Sequence, residues 1–135
     1  MLYSNIKTIF FLVLSISFLV LGCKDSKEKI HLENIKKGKE LFTSVGCATC
    51  HSISGDKLYG PSLNAFLGTT TKVIRNGKEF SFLINRDYIK KSIVDPDYEK
   101  PILFKSNKMP KPSLTIFEVD CITDYIISIN NKVTE

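Results

Sequence analysis

No second cysteine pair accompanies Cys47 and Cys50, and no two histidines stand close together. The remaining cysteines, Cys23 and Cys121, are isolated, and the histidines are His31 and His51. A structural zinc site draws four such ligands, commonly as two spaced pairs, so that chemistry is excluded. The chain also lacks an apolar run long enough to cross a bilayer. Its longest, Ile9–Leu21, has 13 residues, where a spanning helix needs about 20. There is no internal repeat and no low-complexity tract, and 135 residues leave room for one domain.

The short apolar run has the length of the central region of a secretory signal, with Lys7 the single charge ahead of it. "LVLGC" follows, ending at Cys23. This resembles the lipobox of bacterial lipoproteins. The resemblance implies that residues 1–22 are a signal peptide, that Cys23 is lipidated, and that the protein is held at a membrane of the cell envelope, on its periplasmic or extracytoplasmic side. The alternative is a signal with an incidental cysteine; both readings export the chain. The next stretch, "KDSKEKIHLE", is charged and carries no useful apolar stripe, so residues 23–33 are expected to be a solvated tether. Ten flexible residues would reach roughly 18 Å.

From Ile35 to Ser44 the apolar spacing turns helical, with Ile35, Leu41 and Phe42 on one side. Gly38 sits inside this pattern at a cost of about 1 kcal/mol relative to alanine, which suggests close approach of another helix. The C-terminal segment offers the partner. Val119, Ile122, Ile126 and Ile129 form a stripe flanked by Tyr125, and Thr115 and Glu118 are spaced as a capping box. Between these ends, "RNGK" at Arg75–Lys78 predicts a tight hairpin between strands holding Val73, Ile74, Phe80 and Phe82. A further helix is predicted from about Asp87 to Val94, ending before Pro96.

Against this background stands "SVGCATCHSI". A thioredoxin-like dithiol expects a strand–helix–strand setting, whereas this pair leaves a helix and enters a loop. Histidine directly after the second cysteine is instead the mark of c-type haem attachment. Two thiols about one helical turn apart each add to one vinyl group of a porphyrin edge, and the next residue is placed under the iron. Cys47 and Cys50 are thus the thioether anchors and His51 the fifth ligand. For the sixth position the candidates are Met109 and His31, or an open or water-bound iron. Met109 lies in "SNKMPKP", where flanking prolines stiffen the loop, an unlikely setting for a core methionine; His31 lies in the expected tether.

At this point the chain resembles the class I c-type cytochromes over roughly residues 35–130. The likeness rests on "GKELF", "CATCH", "YGPSL", "KMP" and the late "DYI", and is greatest to the small cytochrome domains fused to some bacterial terminal-oxidase subunits II. It implies an all-α cytochrome c fold over residues 34–131, with three to four helices around one covalently attached haem c and a small β-hairpin insertion. It implies that Gly38 and Phe42 cross the last helix near Tyr125. It also implies that the carbonyl of Pro61 accepts the proton of the His51 nitrogen that does not bind iron, and that Leu63 packs on the proximal haem face. No copper-binding cluster and no membrane hairpin precede the domain, so the expectation is a free-standing cytochrome.

The expected function is single-electron transfer between respiratory-chain partners: an upstream quinol-oxidising complex and a terminal oxidase or reductase. The protein is expected not to be an enzyme. A haem peroxidase or gas sensor would need a labile Met109 and a distal acid–base group, and no histidine remains to serve. Lys57, Lys105, Lys108 and Lys111, in a chain of net charge +5, are candidates for a rim that steers docking onto acidic partners; the alternative is ordinary solvated lysines. An exported haem domain does not suit nucleic acid. Cys121 is expected to be a structural apolar residue, with a disulfide-linked dimer as the alternative.

Overall fold

The computed structural model describes residues 26–131; the signal segment and Cys23 lie outside the described residues. Helix α1 covers residues 26–44. Its first part, up to Glu33, belongs to a separate unit, and the compact body begins at Asn34. The segment expected to be a tether is therefore solvent-exposed but helical as far as it is described. Lys and Glu are good helix formers, and Lys29/Glu33, Glu33/Lys37 and Lys36/Glu40 stand four apart, a spacing that supports a helix without an apolar stripe. Among the described residues no helix is long and apolar enough to cross a membrane.

Gly46 ends α1. Its φ of 89° is left-handed, which favours glycine, and the reversal starts a single-turn helix, α2 (Cys47–Cys50). After a long loop, β1 (Thr70–Arg75) and β2 (Lys78–Leu83) pair antiparallel with Arg75 opposite Lys78. Asn76 and Gly77 both have positive φ, 50° and 74°, as a type I′ turn requires. Helix α3 (Arg86–Val94) is capped by the Asn85 side chain, which accepts from the Tyr88 N–H at 2.9 Å. A short strand, β3 (Lys100–Pro101), then adds to β1, giving the order β2-β1-β3. The insertion is thus a three-stranded sheet rather than a bare hairpin. A 3₁₀ turn at Ile102–Phe104 and an irregular loop lead to α4 (Ile116–Asn131). There Glu118 accepts from the Thr115 N–H at 2.8 Å, and the Glu118 N–H donates to the Thr115 hydroxyl at 3.3 Å, closing the capping box.

The core lies where α1, α3 and α4 meet, around Leu41, Phe42, Ile89, Ile93, Val119, Ile122, Tyr125 and Ile126. At the α1–α4 crossing Gly38 faces the Cys121 backbone, and Phe42 meets Tyr125 edge-on at 5.6 Å between ring centres. Cys121 itself is fully buried, which suits the structural reading and removes its thiol from any partner chain. Helix α3 is tied to α4 by charge: Arg86 reaches Asp124 and Asp120, and Lys90 lies 2.7 Å from Asp120. The Lys90 and Arg86 hydrogen bonds hold the Asp120 carboxyl below its ordinary value.

Candidate haem site

The cysteines of α2 are both half-buried, and Cys47 packs against the core cluster. Burial pushes the Cys47 thiol up, and the nearby Cys50 adds to the shift. His51 leaves the helix in extended conformation, its N–H still donating to the Cys47 carbonyl at 3.0 Å.

The segment holding Pro61 runs beside this turn. The Gly60 N–H donates to the Cys50 carbonyl at 2.8 Å, and the Leu63 N–H to the Ser52 carbonyl at 2.8 Å, so the strap is fastened on both sides of His51. Between these bonds the His51 Nδ1 lies 2.9 Å from the Pro61 carbonyl. A carbonyl only accepts, so Nδ1 carries the proton, and in the neutral imidazole Nε2 keeps its lone pair. Such a bond also raises the basicity of a ligating ring.

Gly60 contributes something that spacing alone did not reveal. A Cβ built there would come 2.6 Å from Cε1, 2.9 Å from Nδ1 and 3.0 Å from Nε2 of His51. Near-equal distances to three ring atoms mean that Gly60 lies over the ring face. Only a residue without a Cβ leaves the imidazole room in this position.

Leu63 is half-buried against the core, and its carbonyl accepts from Asn130 Nδ2 at 2.9 Å. Asn130 is buried and makes full use of its amide. Nδ2 also donates to the Ile126 carbonyl at 2.8 Å, while Oδ1 accepts from the N–H groups of Phe66 and Leu67 at 2.9 and 3.2 Å. It bolts the end of α4 to the loop that carries Leu63. In the sequence it is one of two adjacent asparagines at a helix end, with nothing to mark it out.

Met109 is half-buried in the irregular loop before α4. Two residues just ahead of it are held. Lys100 Nζ donates to the Asn107 carbonyl at 3.1 Å, the Asn107 side-chain amide donates to the Tyr59 carbonyl, and the Lys108 N–H donates to the Tyr59 hydroxyl at 3.0 Å. His31, the other candidate ligand, is exposed on α1.

The donor set fits covalent haem: two thiols on one helical turn, then an imidazole whose free nitrogen is set by a carbonyl and whose face is cradled by a residue without Cβ. The sequence profile of the cytochrome c family matches residues 35–130. The chain belongs to the cytochrome c family. Membership implies covalently bound haem c and an electron-transfer role, and the four helices and small antiparallel sheet among the described residues support a cytochrome c fold. A comparison with curated proteins finds no match to this cytochrome.

Proposed function

We propose that this cytochrome is a single-haem electron carrier, free-standing and lipid-anchored through Cys23. Cys47 and Cys50 would hold the haem by thioethers, and His51 Nε2 and the Met109 sulfur would be the ligands the chain offers its iron. The observation that carries the reading is the His51–Pro61 hydrogen bond beneath Gly60, directly behind the cysteine pair. When bound, haem supplies a one-electron iron couple, and a methionine ligand raises its potential. The residues around it have a passive task. Pro61 and Gly60 hold the imidazole in one orientation, Leu63 presents an apolar wall, and prolines 110 and 112 stiffen the loop of Met109. An iron closed on both faces changes little in geometry between oxidation states, which suits electron transfer rather than oxygen or peroxide chemistry.

The ferric holoprotein is expected to be low-spin, with the weak near-infrared band of sulfur-to-iron charge transfer, and to bind carbon monoxide slowly when reduced. Met109→Ala should abolish the band, lower the potential and admit carbon monoxide orders of magnitude faster, with haem still attached through Cys47 and Cys50. A high-spin wild-type protein with no band and rapid carbon monoxide binding would overturn the assignment and favour a haem enzyme or sensor.

Anchoring is tested by metabolic labelling with fatty acid. The wild-type protein should take up label and Cys23→Ala should not; an unlabelled wild type ends the lipoprotein reading.

The proposed partners are membrane-associated redox proteins with acidic docking faces: a quinol-oxidising complex upstream and a terminal oxidase or reductase downstream. The bonds of Tyr59 to Asn107 and Lys108 bring the loop of Lys57 beside the loop of Lys105, Lys108 and Lys111, which supports a common basic rim. Exposed charges are screened beyond about 8 Å at physiological salt. Electron-transfer rates with the partner should therefore fall as salt rises, and Lys108→Glu with Lys111→Glu should flatten the dependence. Salt-independent rates in the wild type would point to an apolar docking face.

A further inference from the structure

We propose that Tyr59 is a positioning residue that couples the two axial sides of the site, holding the Met109 loop in register with the strap that orients His51. The proposal rests on Met109 being the sixth ligand. Tyr59 immediately precedes Gly60, whose N–H is fixed to the Cys50 carbonyl at 2.8 Å and whose backbone lies on the His51 ring. From that fixed point Tyr59 holds two successive residues of the other loop. Its carbonyl accepts from the Asn107 side-chain amide, and its hydroxyl accepts the Lys108 N–H at 3.0 Å. Met109 is the next residue.

Burial does not explain why an aromatic stands here, since Tyr59 is 53% exposed. Its polar contacts do. Asn107 is restrained from a second direction as well. Lys100 Nζ donates to its carbonyl at 3.1 Å and is itself held 2.7 Å from Asp97 Oδ1. Lys100 belongs to β3, which is paired to β1. The inserted sheet therefore braces one side of the loop and Tyr59 the other.

A thioether is a weak ligand, so the time Met109 spends on iron depends on how freely its loop departs. A hydrogen bond made only in the closed arrangement lowers the open fraction. An exogenous ligand that binds only the open form then shows an apparent affinity reduced by that fraction. Losing one neutral hydrogen bond of ordinary strength should raise the open fraction about fivefold. Tyr59 moves neither electron nor proton; it sets how long the sixth position stays occupied.

The experiment is a titration of the full-length ferric holoprotein with free imidazole, followed at the near-infrared band, for wild type, Tyr59→Phe and Asn107→Ala. Denaturant unfolding of each protein is measured in parallel. Both variants should bind imidazole about fivefold more tightly than wild type, with the band intact at zero imidazole and a loss of global stability no greater than that one hydrogen bond accounts for. Asn107→Ala keeps the test decisive if Tyr59→Phe does not fold. Wild-type imidazole affinity in both variants overturns the proposal, and a loss of global stability without any gain in imidazole affinity would mark Tyr59 as merely structural. A wild-type protein without the band overturns the Met109 assignment and this proposal together. A wild type with the band and inert variants overturns this proposal alone.

Discussion

Gly38→Ala is expected to leave little folded holoprotein. A Cβ at residue 38 would fall 2.5 Å from the Cys121 carbonyl carbon and closer still to its oxygen, with the Tyr125 Cβ at 2.9 Å. Two of these atoms are α4 backbone and cannot swing aside as a side-chain tip would. Helices α1 and α4 must separate, and the fit of Phe42 on Tyr125 and the burial of Ile122 are lost with the crossing. Alanine would gain about 1 kcal/mol in helix propensity, but overpacking alone costs about 1–3 kcal/mol even where side chains can adjust. The upper end of that range already leaves a net loss of about 2 kcal/mol, a clash with backbone exceeds it, and only roughly 5–15 kcal/mol holds a domain together. Denaturant unfolding of the purified holoprotein, or its yield if none can be purified, measures the effect. A midpoint equal to or above that of wild type would mean that the helices do not touch at residue 38.

Gly60→Ala should act differently, sparing the fold and disturbing the iron. Gly60 is not among the glycines with positive φ, so alanine meets no backbone strain there. What it meets is the His51 ring, at 2.6 Å from Cε1. The imidazole must tilt away, and tilting breaks the Nδ1 bond to the Pro61 carbonyl. Loss of such a bond behind a metal ligand typically weakens metal affinity or activity by about 10–100-fold. The expected result is a protein that unfolds near the wild-type midpoint but contains high-spin ferric iron and has a shifted potential. Optical and electron paramagnetic resonance spectra read the spin state directly. Unchanged spectra would show that the strap does not fix the ring.

The contrast between these two glycines shows what was legible in the sequence. Gly38 interrupts an otherwise helical pattern, and a helix that tolerates a poor former invites the inference of a close neighbour. Gly60 lies in a loop, where glycine is unremarkable, and its reason is a ring brought over it by the tertiary fold. Local signals were otherwise faithful: Asn76–Gly77 for the turn, Thr115 with Glu118 for the start of α4, and Pro96 for the end of α3. The closely spaced Cys47, Cys50 and His51 carried the haem reading. Strand β3 was not legible, because two residues including a proline have no periodicity and pair only where β1 offers an edge. The helix over residues 26–33 was missed because an apolar stripe was required of it, when charge spacing alone supports it. Asn130 and Tyr59 were silent for the same reason as Gly60: each acts on a distant segment, the Asn130 amide on a carbonyl 67 positions away.

The crossing at Gly38 has a consequence in time. A chain made from its N-terminus presents Cys47, Cys50 and His51 before α4. Contacts between remote positions must meet the entropy of closing a long loop. Until the Cys121 carbonyl comes to rest against Gly38, the last helix is not in place and Asn130 has not drawn in the loop of Leu63. The cysteine pair therefore passes through an interval in which it is reachable and the domain is still open on one side. Arrival of α4 completes the core and draws in the loop of Leu63 through Asn130, so one helix crossing also sets the last wall of the core against which Cys47 packs.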